Sequence, residues 1–112
     1  MRTDDGVPAQ ADRRPGLGPS ASVALDIGRG RGALVIYPDE RYRGSEIEIS
    51  PNDEDGRRVH TGVHERATAS GPVLTAIFGS LEVGDYVIWA DASTPGPVIT
   101  VPEAAVAEVA LS

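Results

Sequence analysis

The chain has no cysteine and no lysine, and only 4% of its 112 residues are aromatic. Without cysteine there are no disulfide staples, no thiolate metal sites and no cysteine nucleophile, so a folded state must rest on its hydrophobic core. Hydrophobic residues make up 40% of the sequence, so that core is built from Val, Ile, Leu and Ala with few large anchors. No apolar run approaches the roughly 20 residues that cross a bilayer as a helix. The start, Met1-Arg2-Thr3-Asp4-Asp5-Gly6, lacks the hydrophobic segment of a signal peptide. The expectation is a cytoplasmic protein with no membrane partner. Ten Arg face seventeen Asp and Glu, a formal charge of −7, which repels phosphate backbones and anionic lipid. No nucleic-acid partner is expected, and a basic protein suits the charge better.

At this length the sequence predicts one folding domain. Residues 1–22 hold Pro8, Pro15, Pro19, Gly6, Gly16 and Gly18 with no apolar periodicity, which predicts a disordered tail. Its three acidic and three basic residues cancel, so the net charge falls on the domain expected over 23–112. There, short apolar runs alternate with Gly, Pro, Asp, Asn and Ser at the spacing of an all-β sandwich or barrel. Val23–Ile27 reads as a short edge strand, and Ala33–Tyr37, apolar on both faces and stopped at Pro38, as a covered one. In Glu46-Ile47-Glu48-Ile49-Ser50 the Ile and Glu residues take opposite faces, as alternation in a half-buried strand requires. Arg58–Arg66 reads as one return strand with Val59, Thr61 and Val63 on one side and His60, Gly62 and His64 on the other. Further strands are expected at Val73–Phe78, Tyr86–Trp89, Val98–Val101 and Ala105–Leu111, with Gly84 in a turn conformation costly for other residues. Ala and Glu in the last segment favour a helix, while Val106, Val109 and Leu111 after Pro102 favour a final strand, which is the expectation adopted. The fold class is thus a small all-β Greek-key β-sandwich of about seven strands.

The pattern Gly32-Ala33-Leu34-Val35, then Gly44 with Ile47-Glu48-Ile49, then Leu81-x-x-Gly84-Asp85-Tyr86-Val87-Ile88-Trp89 resembles transthyretin-like and Cna-B-like domains, including regulatory-like domains appended to carboxypeptidases. The resemblance covers residues 32–111 and implies a fold rather than an activity. The stretches Leu25-Asp26-Ile27-Gly28, Glu46-Ile47-Glu48-Ile49-Ser50-Pro51 and Val63-His64-Glu65-Arg66 are similar to those of short actinobacterial proteins, uncharacterised as a group and in part labelled phospholipase. Exclusive use of Arg among basic residues, with abundant Ala, Gly and Pro, fits a high-GC bacterial origin.

That label implies chemistry the residues do not supply. A serine lipase needs its nucleophile in Gly-x-Ser-x-Gly, and no such pentapeptide occurs. A metal-dependent lipase needs clustered His and Asp, and the chain has only His60 and His64. On a helix, a His-x-x-x-His spacing would place two imidazoles on one face. On a continuous strand, at about 3.3 Å per residue, four steps separate the Cα atoms by roughly 13 Å, too far for easy sharing of one ion at Zn–N distances of about 2 Å. Two readings therefore stand beside each other: a solvated polar strand face, and a metal site from His60 and His64 with Glu46 and Glu48.

Asn52-Asp53-Glu54-Asp55-Gly56 resembles the start of a calcium loop, but the position six beyond its Gly, where an EF-hand has a bidentate Glu, is Gly62. An ordinary hairpin loop is the simpler reading. Gly28-Arg29-Gly30-Arg31-Gly32 is read as a turn, since a dinucleotide loop must open a helix and here a strand follows. Tyr86 and Trp89 alternate onto opposite faces, which leaves one of them open to exposure. The expectation is a non-enzymatic binding or protein-interaction module that pairs with a partner, or with a copy of itself, through a strand edge. It needs no cofactor. The alternative is a small metal-binding protein or hydrolase using His60, His64, Glu46 and Glu48.

Overall fold

The computed structural model describes residues 25–112; the tail expected over 1–22, with Val23 and Ala24, lies outside the described residues. The eight strands among them are β1 Arg31–Pro38, β2 Glu46–Pro51, β3 Val59–Gly62, β4 His64–Thr68, β5 Gly71–Glu82, β6 Gly84–Trp89, β7 Pro95–Val101 and β8 Val106–Leu111. No α-helix interrupts them, and the last segment is a strand as expected. Strand order is β4-β5-β1-β8 in one sheet and β3-β2-β6-β7 in the other. Connections alternate between hairpins within a sheet and crossings between sheets, the crossings falling at 39–45, Val63, Val83 and 102–105. Two of these are single-residue corners, where one strand bends across to the other sheet.

The eighth strand comes from a corner that hydrophobic alternation does not reveal. Arg58–Arg66, expected as one strand, is divided at Val63 into β3 and β4 in different sheets. Val63 is buried there, and its N–H donates to the Ser45 carbonyl, so the break is anchored. The expected strand at Val23–Ile27 does not form within its described part. Leu25–Ile27 has no ladder, only a hydrogen bond from the Asp26 N–H to the Gly79 carbonyl, and Leu25 is exposed.

Two compact units are distinguishable, Glu65–Val73 and a larger one of Leu25–His64 with Leu74–Ser112. In the smaller unit, Thr68 closes the turn to β5 by donating its hydroxyl to the Gly71 carbonyl while accepting the Ser70 N–H. In the larger one, Leu34, Ile36, Ile47, Ile49, Ala76, Phe78, Tyr86, Ile88, Val101 and Leu111 form a single cluster with contributions from both sheets. Each buried Ile or Leu contributes roughly 1.5–3 kcal/mol of transfer free energy. Without disulfides, this cluster holds the sheets. β1 is covered on both faces, with Ala33, Leu34, Val35 and Ile36 at most 1% exposed. It pairs with β5 antiparallel, through an irregularity between Gly32 and Leu34, and with β8 in parallel.

Two glycines fix corners. Gly84, at the β5–β6 corner, has φ +152, a conformation other residues rarely adopt, as expected from its place in the sequence. Gly32 is set by close approach: a Cβ there would lie 2.0 Å from the Pro102 carbonyl oxygen. The 102–105 crossing is clamped onto the start of β1, with the Gly30 N–H donating to Glu103 Oε2 (2.7 Å) and the Ala104 N–H to the Arg31 carbonyl (2.7 Å).

Candidate functional site: an acidic strand face and the sheet edges

Alternation in β2 buries Ile47 and Ile49 and turns Glu46 and Glu48 outward. The ladder sets Glu48 between His60 on β3 and Trp89 on β6, and Glu46 opposite Gly62. Four of the singled-out residues, Glu46, Glu48, His60 and Trp89, thus share the outward face of the β3-β2-β6-β7 sheet. His60 Nε2 stands 3.9 Å from Glu46 Oε2 with both side chains more than half exposed, beyond hydrogen-bond reach and well solvated.

His64 arrives on that face by a route the sequence did not show. It begins β4, but its ring lies beside Gly62, where a Cβ would be 3.0 Å from His64 Nε2. The separation expected for one continuous strand therefore does not apply, because the chain turns a corner at Val63. The glycine between the two imidazoles makes room for the second. Even so, among the described residues no group of three or more His, Cys, Asp or Glu is placed to hold a metal ion.

Arg58, not singled out in the sequence, organises the face. Its guanidinium carbon sits 3.6 Å from the centre of the Trp89 ring. It also donates to Glu48 Oε1 (3.1 Å), to the Ala92 carbonyl (2.8 Å) and to the Asp55 carbonyl (3.2 Å). The Trp89 indole N–H donates to Ser50 Oγ (3.0 Å) within buried surroundings. Tyr86 and Trp89 do lie on opposite faces, Tyr86 within the core cluster and Trp89 outside it. Neither is exposed, at 7% each: Tyr86 packs in the core, and the Arg58 guanidinium covers the indole. A signal existed in the sequence: Arg58 shares the parity of His60, so an extended chain leading into β3 carries the two on one side.

Both loop motifs form turns. Asn52–Gly56 closes the β2–β3 hairpin through hydrogen bonds from the Glu54 N–H to the Pro51 carbonyl and from the Arg57 N–H to the Glu54 carbonyl, and the Glu54 carboxylate takes Arg57 Nη1 at 2.8 Å. In Gly28–Gly32, Gly30 turns with φ +72 and Arg31 Nε donates to Ser80 Oγ (2.9 Å).

The four edge strands differ in what they offer. β7 carries Pro95 and Pro97, which lack N–H donors. β3 is only four residues long, and β4 carries Glu65 and Arg66; short or charged strands blunt an edge. β8, Val-Ala-Glu-Val-Ala-Leu, has no Pro and a single charge. Its odd-numbered residues face β1, since the carbonyls of Ala105 and Leu111 accept from Ala33 and Asp39. Alternation then directs the N–H and C=O of Val106, Glu108 and Ala110 to the open side, where no described strand lies. Beside this edge the Tyr37 hydroxyl donates to Glu108 Oε1 (3.1 Å). Burial, the Glu108 charge and that hydrogen bond together push the Tyr37 phenol up to about 12.

No helix among the described residues is long and apolar enough to cross a membrane. No family model, curated protein or solved structure matches the chain. What the geometry defines is an all-β protein of two four-stranded sheets.

Proposed function

We propose that this is a non-enzymatic protein-interaction module of the Greek-key, transthyretin-like or Cna-B-like type, which binds a protein strand along an uncovered sheet edge. The observation that carries the reading is the contrast between β8 and the other three edges. β8 alone combines six residues, no Pro and outward backbone groups at every second position. An extended chain added there would satisfy those groups while its side chains lay along the sheet. For the fold type, the support is that β6 returns beside β2 after the chain has crossed to the first sheet and back. A net charge of −7 favours basic strands.

The test is a titration of isotopically labelled protein with neutral, Lys-bearing and Glu-bearing extended peptides, followed by amide shifts. Perturbations centred on Val106, Glu108 and Ala110, largest for the Lys-bearing peptide, are expected. Shifts confined to other strands, or none with any peptide, count against the proposal. The competing reading, a metal-binding protein or hydrolase, has its own check. Stoichiometric zinc or copper that disappears in a His60→Ala/His64→Ala variant would displace the interaction module.

A further inference from the structure

We infer that β8 pairs with β8 of a second copy, antiparallel and about a two-fold axis at Val109, joining two four-stranded sheets into one of eight. This rests on the reading above that β8 is the binding edge, and adds the partner and the register. Its basis is that the strand can pair with itself over most of its length without setting Glu108 against Glu108.

Only residues whose backbone groups point outward can form the hydrogen-bonded pairs of an antiparallel ladder, so Val106, Glu108 and Ala110 must pair among themselves or with Ser112. Centring the axis on Glu108 sets Glu108 against the partner's Glu108, and like charges directly opposite oppose pairing. Centring it on Val109 sets Glu108 against the partner's Ala110, and Ala110 against the partner's Glu108. Apart from those Ala110–Glu108 pairs, every side chain of the strand then meets a small or apolar one. Ala107, Val109 and Leu111 already point to the core side, so Val109 meets the partner's Val109 there and Ala107 the partner's Leu111. Ala110 is exposed on the other face, leaving room for a larger group. Such a contact is isologous and closes at two copies, and it removes the open edge from both.

The register makes the test specific. Replacing Ala110 by Lys places a cation opposite the partner's Glu108 twice per dimer, whereas Glu places an anion there. Because the Ala110 N–H points away from β1, Ala110→Pro deletes an intermolecular donor without breaking the β1–β8 ladder. Sedimentation equilibrium of the full chain, up to about 1 mM protein and at two salt concentrations, reads the outcome. The expected result is a reversible dimer that Ala110→Lys tightens and Ala110→Glu weakens by about two- to thirty-fold each, and that Ala110→Pro abolishes. Wild-type association should strengthen with salt, because two copies of charge −7 repel until screened, while the gain from Lys should shrink. A chain that stays monomeric throughout overturns the inference, as does a dimer indifferent to the charge at 110. In either case, peptide-induced shifts along β8 would leave the interaction module standing.

Discussion

The Arg58 guanidinium lies over Trp89, its central carbon 3.6 Å from the ring centre, while Ser50 Oγ accepts the indole N–H at 3.0 Å. This single residue ties three segments to one aromatic: Glu48 on β2, the Ala92 carbonyl in the β6–β7 loop and the Asp55 carbonyl in the β2–β3 loop. With its side chain 26% exposed, the pair with Glu48 is partly shielded from solvent.

Arg58→Ala should therefore destabilise the fold by about 1–3 kcal/mol, combining a cation–π contact with charge-assisted hydrogen bonds. Arg58→Lys should recover only part of this, because an ammonium cannot stack and fork at once. The chain has one Trp, so Trp89 fluorescence in a urea titration reports both stability and indole solvation. Arg58→Ala is expected to red-shift native emission and lower the midpoint. Unchanged emission and midpoint would show the stacking to be energetically idle.

Three glycines give a graded steric test. Gly32→Ala drives a methyl to 2.0 Å from the Pro102 carbonyl oxygen, a backbone atom that can retreat only if the 102–105 crossing leaves β1. A loss of about 2–4 kcal/mol is expected, as for overpacking in a rigid core. Gly62→Ala brings its methyl to 3.0 Å from His64 Nε2, the tip of an exposed side chain that can swing away. Gly28→Ala meets nothing within 4 Å. Thermal unfolding should rank Gly32→Ala far below the other two, with Gly62→Ala changing the His64 ring resonances rather than the midpoint. Equal midpoints for Gly32→Ala and Gly28→Ala would contradict the close approach described for the 102–105 crossing.

Much of this arrangement was legible where one face of a strand is buried. Ile47 and Ile49 against Glu46 and Glu48 fixed both the strand and the side from which its carboxylates project, because the two-residue period leaves no other choice. Apolar cover on both faces of Ala33–Tyr37 likewise marked a central strand. The corner at Val63 was not legible, since Val59, Thr61 and Val63 keep a perfect alternation through the point where the chain changes sheets. Nor was the stacking of Arg58 on Trp89, which depends on a register between β2, β3 and β6 that no local pattern encodes. The same holds for His64: only the corner, together with the bare face of Gly62, brings its ring beside Glu46's partner position. Among edges, the prolines of β7 were visible in sequence, but which strands would end the sheets was not.

Tyr37 and Glu108 offer a readout of the β1–β8 edge through pH. The phenol is pushed up to about 12, first by burial and then by the charge and hydrogen bond of Glu108, against about 10 in an unfolded chain. A raised folded-state value means that the folded protein holds this proton more tightly. The associated stabilisation is complete below pH about 10 and is lost as pH rises through the window towards 12. Tyrosinate absorbance followed from pH 8 to 13 should show Tyr37 among the last phenols to ionise, with Tyr37→Phe removing that late step. Glu108→Gln should lower the midpoint while leaving it above 10, because burial, the largest cause, remains. A late step untouched by Glu108→Gln would mean that the carboxylate does not hold the phenol, and with it would go the pairing that positions Glu108 beside the open edge of β8.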